Sequence, residues 1–443
     1  MKVYKFGGGV LKDADAVKKI PDLILQVHNR LLIVVSAFGK TTGAFESLLS
    51  SYYFSGGFRP DLLDKIESEH LSVIKELFPE GNEELNRIIS GLIEETRALF
   101  TRGLSADKYF EYDRIVPVGE LLSANIINAF LNRSGIKTAF ADARDYLITD
   151  SGFGDAKILW EETKKKIKQD VLFSEADIVL SQGFTGRDIT GRITTLGREG
   201  SDYTAAVYAY CLNADEIVFW KNVSGILNAD PQENEDARLL SKLSYKEVVE
   251  QTFYGAKILH PKTIKPLQNK KIPVQVRPFD NPDFPGTRIS DIPPDAKDFY
   301  PPMPVYIVKK DQILFSVSAL DFSFIAEDSL SRIFSLLAKY RLKVSVMQNS
   351  AISFTFSVGN VKERIPLFTD ELRRHYSVRY NDNLSLITIR HYTDEAIEKY
   401  LRGKDILLRQ ISRYAARFVV QNGSGASVFR YDFVGQNLSN FEN

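Results

Sequence analysis

The sequence predicts an α/β protein, in which a mostly parallel sheet is covered by helices on both faces and is followed by a smaller α+β region of the ferredoxin-like kind. Three observations carry this. Short apolar runs of strand length alternate with amphipathic helical stretches from the first residues to about residue 277. Eight prolines then crowd 278–304, too many for a packed helix or a central strand. Beyond them the order becomes strand, helix, strand, strand, helix, strand.

In chain order, residues 3–6 form a first strand, and Gly7-Gly8-Gly9 opens into a helical pattern from Asp13 onward. Residues 31–35 are a continuous apolar run, as in a parallel strand buried on both faces. Amphipathic helices come next at 44–53, 61–78 and 83–102, and another runs from Gly119-Glu120 to Asn132. Strands recur at 138–141, 176–180, 216–220 and 274–277. The domains expected are 1–280, a proline-rich linker at 281–303, and a C-terminal region at 304–443. In that last region, strands at 313–317, 343–347, 352–358 and 377–380 and helices at 328–340 and 361–375 make one ferredoxin-like unit, about 311–382, and a further strand is expected at 384–389. A second unit would combine 304–310 with 384–435, including a strand near 428–433.

Composition narrows the function. The 443 residues are 44% hydrophobic and 26% charged, as in ordinary globular proteins. The formal net charge of zero provides no field to hold nucleic acid or an anionic membrane. The single Cys211 forms no intrachain disulfide, which fits a reducing compartment. MKVYKFGGG lacks a signal-peptide apolar stretch, and no apolar run approaches the roughly 20 residues of a bilayer span, so a cytoplasmic protein is expected. Five scattered histidines and one cysteine make no metal cluster.

The chemistry centres on 181–206, SQGFTGRDITGRITTLGREGSDYTAA. It succeeds a strand, makes a hairpin returning through 192–196, breaks at Gly197 and Gly200, and enters a helix with Ser201 or Asp202 as its N-cap. Glycines let the backbone approach a ligand where a helix start points unpaired N–H groups. In open parallel sheets, ligands bind beyond the carboxyl ends of the strands. At those ends stand Lys5 with three glycines, Ser36, the 183–186 run Gly-Phe-Thr-Gly, and Lys221-Asn222. Glu120 and Arg198 reach the same rim from a helix start and a loop, and the set describes a phosphate site. Gly39-Lys40-Thr41 resembles the tail of a Walker A loop, but Val34 stands where its first glycine is required. No G-x-G-x-x-G succeeds a strand.

KFGG at 5–8, VVSA at 34–37, SQGFTG at 181–186, TTLGREGSDYTAA at 194–206, GI at 225–226 with ADP at 229–231, and GAKILHP at 255–261 resemble aspartate kinase, of the amino-acid kinase fold. The likeness covers the chain to about residue 290, and the C-terminal region is similar to that family's paired ACT domains, the first inserted in the second. The resemblance implies ATP-dependent phosphorylation of the L-aspartate side chain to 4-phospho-L-aspartate, the first step toward lysine, threonine and methionine. It implies catalytic roles for Lys5 and Asp202, and substrate contacts from Ser36, Thr42, Glu120, Phe184, Arg198 and Ser201. ATP would meet Gly7, Gly8, Lys221, Asn222, Leu227, Asp230, Lys257 and Ile258. Mg2+ would be held by phosphate oxygens and water, with no protein ligand set. An amino-acid effector at the ACT region and a homo-oligomer, dimer or tetramer, are also implied. The alternatives are an amino-acid kinase with another carboxylate acceptor, and an inactive ACT-type sensor.

The chain departs from the family pattern at defined places. Gly9 and Val10 stand where threonine and serine are common, and GRGGSD is GREGSD through Glu199. Asn222, Leu227 and Gln232 replace a usual aspartate, tyrosine and arginine. Ser345 and Ala351 stand where lysine-inhibited relatives place an aspartate and a glutamate, so lysine inhibition through that pocket is not expected.

Overall fold

The computed structural model describes residues 1–168, 172–256, 259–291, 303–321 and 323–422. The chain divides into two compact units: Met1–Ile226 with Leu239–Thr252 and Lys257–Tyr300, and Leu227–Arg238 with Phe253–Ala256 and Pro301–Asn443.

The first unit contains β1 (Lys2–Phe6), β2 (Leu31–Val35), β3 (Thr138–Phe140), β4 (Ile148–Thr149), β5 (Ile178–Gln182), β6 (Thr185–Asp188), β7 (Ile193–Thr195), β8 (Glu216–Lys221), β9 (Lys242–Ser244), β10 (Val274–Pro278) and β11 (Thr287–Ser290). Eight of them form one sheet in the order β3-β5-β2-β1-β8-β10-β11-β9. Every pairing in it is parallel except β10 with β11. β1 lies between β2 and β8, so that Lys5 is level with Val34 and Phe219. Tyr4, Phe6, Leu31, Ile33 and Val35 join one apolar cluster with residues of the helices Ala14–Ile24, Thr41–Phe54, Pro60–Leu77, Glu83–Arg102 and Val118–Arg133. Helix Gly200–Leu212 lies outside that cluster, packs on β1, β2 and β8, and covers the other face. Among the described residues one helical run, Lys108–Arg133, is long and apolar enough to cross a membrane, and it is mostly buried, as core helices are.

Two expectations need correction in this unit. Thr287–Ser290 is a strand paired with β10 and β9, although the prolines pointed to linker from 281 onward. The pairing is possible because Pro282 and Pro285 precede the strand and none lies within it. The stretch 292–302 of that linker lies outside the described residues. The helix after Gly197 begins at Gly200, so its N-cap is Glu199, in the left-handed conformation (φ 55°) and without a side-chain capping bond. Ser201 and Asp202 therefore occupy the first turn, with their N–H groups near the helix mouth.

The second unit is a six-stranded sheet of β12 (Val305–Ser318), β13 (Val344–Asn349), β14 (Ser353–Gly359), β15 (Ser377–Arg390), β16 (Ile406–Ile411) and β17 (Ala415–Gln421), in the order β13-β14-β12-β15-β17-β16. All its pairings are antiparallel. The strand expected at 313–317 and the 304–310 segment assigned to the other unit are one continuous β12, which passes through a register shift at 309–312 with Asp311 left-handed. β15 likewise runs through both 377–380 and 384–389. Two long strands thus run through the boundaries expected between the two units. The strand expected near 428–433 lies outside the described residues. Leu227–Arg238 joins this unit through hydrogen bonds from Tyr306 N–H to Asn228 O (2.7 Å) and from Asn228 Nδ2 to Pro304 O (3.0 Å).

Candidate active site

The carboxyl ends of β1 and β8 present Lys5 and Lys221, and the first turn of helix Gly200–Leu212 inserts Asp202 between them. Lys5 Nζ is 2.6 Å from Asp202 Oδ1, and Lys221 Nζ is 2.8 Å from Oδ2. Lys5 also donates to Ser36 Oγ at 2.9 Å, just past β2. Lys5 and Asp202 are each 3% exposed. Burial pushes the Asp202 carboxyl up, but the two lysines outweigh it and hold Asp202 well below the usual carboxylate range. Burial pulls Lys5 below its ordinary value against the attraction of Asp202. For Lys221, Asp202 outweighs burial and the pKa rises. The triad carries one net positive charge in a desolvated place, where attraction to an anion is stronger than in water.

Glycines shape the walls. A Cβ on Gly8 would lie 2.8 Å from Ala37 O, and one on Gly183 would lie 2.5 Å from Ser201 Cβ. Phe184 adopts φ 74° and its N–H donates to Thr204 Oγ1 at 3.0 Å. Asp113 is buried and accepts from Gly154 N–H, Thr195 N–H and Thr195 Oγ1, tying helix Lys108–Ile115 to the loop and to β7. Burial drives its pKa up to about 6.

These walls enclose a cavity of about 640 Å³. Of the residues expected to bind or react, Lys5, Gly7, Gly8, Ser36, Thr42, Glu120, Phe184, Arg198, Ser201, Asp202, Lys221 and Asn222 all line it. Leu227 and Asp230 do not; they lie in the second unit, where Asp230 accepts the Gln232 N–H at 2.9 Å. Lys257 and Ile258 lie outside the described residues. Glu120 is 3% exposed, and its Oε2 has no hydrogen-bond partner among the described residues. Burial raises its pKa to about 8 despite the Ala37 N–H that its carboxylate accepts. Arg198 is exposed and has no ion-pair partner among the described residues. An unpaired buried carboxyl suits an ammonium group, and a free guanidinium suits a carboxylate.

Sequence reasoning missed Glu46, Tyr112, Gly154 and Trp220 on the same walls. Tyr112 donates to Glu46 Oε1 at 2.7 Å and meets the Phe184 ring edge-on, 6.3 Å between centroids. For Tyr112 the signal was Asp107, which accepts from Tyr109 and Phe110 N–H and starts the helix Lys108–Ile115 that carries it. Among the described residues no group of three or more His, Cys, Asp or Glu side chains could hold a metal.

Over 372 residues the chain is 32% identical to aspartokinase 1, chloroplastic, of Arabidopsis thaliana, covering 81% of this chain and 63% of the relative. Over 403 residues it is 28% identical to lysine-sensitive aspartokinase 3 of Escherichia coli K12, covering 87% and 86%. It spans only 32% of the length of the bifunctional aspartokinase/homoserine dehydrogenase 1 of Zea mays, to which it is 29% identical over 66% of its own residues. The fold matches the crystal structure of E. coli aspartokinase III in complex with aspartate and ADP, at a TM-score of 0.81 and 24% identity over 95% of this chain and 96% of the other. The profile of the amino acid kinase family matches residues 1–278, more than half of the chain. With strand ends, cation pair and glycine cradle in the places described, the chain belongs to the amino acid kinase family.

Proposed function

We propose that the chain is an aspartate kinase, which transfers the γ-phosphoryl group of ATP to the side-chain carboxylate of L-aspartate to give 4-phospho-L-aspartate and ADP. The observation that carries this reading is a single cavity holding the Lys5–Asp202–Lys221 triad together with the unpaired carboxyl of Glu120 and the free guanidinium of Arg198. Further support comes from E. coli aspartokinase III, which forms complexes with aspartate and ADP and with lysine and aspartate.

An aspartate side chain ordinarily titrates at about 3.9, so the acceptor carboxylate is already ionised near neutral pH and the reaction requires no general base. The site's work is to hold two anions in line while the bond from γ-phosphorus to the bridging oxygen breaks and the carboxylate oxygen bonds to phosphorus. Lys5 and Lys221 neutralise the phosphate oxygens and the departing ADP, and the N–H groups of Gly7 and Gly8 approach the phosphates in a cradle that side chains would fill. Asp202 is kept ionised by both lysines, which makes it their orienting group and not a proton acceptor. Arg198 grips the substrate α-carboxylate, and Glu120 meets its ammonium group. Mg2+, when bound with ATP, would neutralise phosphate charge through phosphate oxygens and water. Residues 304–443 would form the ACT region, with an amino-acid effector and self-association into a homo-oligomer.

The test is to trap acyl phosphate as hydroxamate with ATP, Mg2+, L-aspartate and hydroxylamine. Hydroxamate formed from aspartate is expected, and Lys5→Ala should lower kcat by about 10²–10³-fold, the usual effect of removing one charge-stabilising donor. Turnover with L-glutamate in place of aspartate, or none with either, would overturn the reading.

A further inference from the structure

We propose that Glu199 is a positioning residue: its carboxylate, bonded to the main chain at His260, fixes the 196–199 loop so that Arg198 faces the cavity. The proposal deepens the aspartate-kinase reading and rests on it.

The loop leaves β7 at Thr195 and enters helix Gly200–Leu212 through two left-handed residues, Gly197 (φ 71°) and Glu199 (φ 55°), with Arg198 between them. Glycine reaches this conformation freely, whereas any residue with a Cβ enters it at a cost. Glu199 offsets none of that cost at the helix, since its side chain makes no capping bond there. Instead its Oε2 accepts the His260 N–H at 2.9 Å. Two residues further along, Lys262 donates to Leu196 O at 3.4 Å and pairs with Asp155. The start of helix Pro261–Asn269 thus grips the loop on both sides of Arg198, once through a side chain that only this position supplies. Arg198 has no ion-pair partner of its own among the described residues, so its placement depends on the loop that carries it.

Three substitutions separate the possible causes. Glu199→Gly relieves the backbone cost and removes the acceptor. Glu199→Ala removes the acceptor and keeps the cost. Glu199→Gln keeps an acceptor oxygen and removes the charge, so it isolates the hydrogen bond from any effect of that charge on Lys221. In the hydroxamate assay, Glu199→Ala and Glu199→Gly should raise KM for aspartate about tenfold while KM for ATP stays within about twofold, and Glu199→Gln should bring KM for aspartate back to within about threefold of wild type. A wild-type KM in Glu199→Gly would mean that the backbone alone places Arg198, and would overturn the proposal. So would a Glu199→Gln enzyme as impaired as Glu199→Ala. Amide exchange in 15N-histidine-labelled protein, with five histidines to assign, reads the bond directly. The His260 amide should exchange about tenfold faster in Glu199→Ala and Glu199→Gly than in wild type or Glu199→Gln. That readout does not depend on turnover: absence of hydroxamate from the wild type would remove the kinase reading, whereas equal exchange in wild type and Glu199→Ala would remove the latch.

Discussion

Glu120 is a carboxyl group whose protonation a substrate ammonium group would change. Buried with one oxygen unpaired among the described residues, it has a pKa raised by desolvation to about 8, so near neutral pH its protonated form is favoured. Because the folded pKa lies above the unfolded one, its contribution to stability is fully present below pH of about 4.5 and is lost as pH rises toward 8. A substrate ammonium group reverses the preference by pairing with the ionised carboxylate. Aspartate binding should therefore release a proton around neutrality, and KM for aspartate should fall as pH rises from about 6.5 to 8.5. In Glu120→Gln that slope should disappear while KM rises at least tenfold, as for a lost charged hydrogen bond; a slope that persists would show that Glu120 does not meet the ammonium. At this scale the sequence displayed Lys5, Glu120, Arg198 and Asp202 clearly, because each ends a strand, starts a helix or lies in the loop between them. It did not display the bond from Lys221 to Asp202 or that from Tyr112 to Glu46. Both are side-chain pairings between distant segments, to which no local period points.

Strands and helices set these side chains through close approaches that glycine permits. At Gly183 a Cβ would fall 2.5 Å from Ser201 Cβ and 2.6 Å from its Cα, so the end of β5 and the start of helix Gly200–Leu212 touch there. Gly183→Ala should push the helix start away from the strand ends, destabilise the protein by about 1–3 kcal/mol in denaturant titration, and lower kcat through the displaced Asp202. Unchanged stability with full activity would show that the contact relaxes freely. The elements themselves were largely legible: 31–35 and 217–220 are apolar runs of strand length, and both lie in parallel strands. The failures share a cause. A left-handed Glu199 in place of a side-chain cap, a strand among prolines at 287–290, and two long strands continuing through left-handed Asp311 and Asn383 are all backbone conformations that tertiary pairing imposes against local preference. Helix Lys108–Ile115 escaped because eight residues, KYFEYDRI, are too few and too polar for a period to stand out.

For the whole molecule, the question is whether the second unit responds to lysine. In the second unit Ser345 is 8% exposed, and its Oγ already accepts from Lys309 Nζ at 2.7 Å. Burial lowers the Lys309 pKa, and the neighbouring charge of Lys343 lowers it further. A lysine effector placed at Ser345 would bring its ammonium group against the half-buried Lys309 cation where a carboxylate would be needed, a like-charge contact partly shielded from water. L-Lysine should therefore change the rate of hydroxamate formation by less than about twofold under conditions that saturate a lysine-sensitive enzyme. Ser345→Asp alone should not create sensitivity, because the new carboxylate would pair with Lys309; Ser345→Asp with Lys309→Ala leaves that carboxylate free and is the variant in which lysine inhibition should emerge. Coupling between sites is reciprocal, so calorimetry gives a second reading: if lysine bound the wild type and weakened aspartate, aspartate would have to weaken lysine by the same factor. Lysine inhibition in the wild type, with that reciprocity and abolished by a bulkier residue at Ser345, would show that Lys309 moves aside. The second unit's selectivity would then rest on groups other than the Lys309–Ser345 pair.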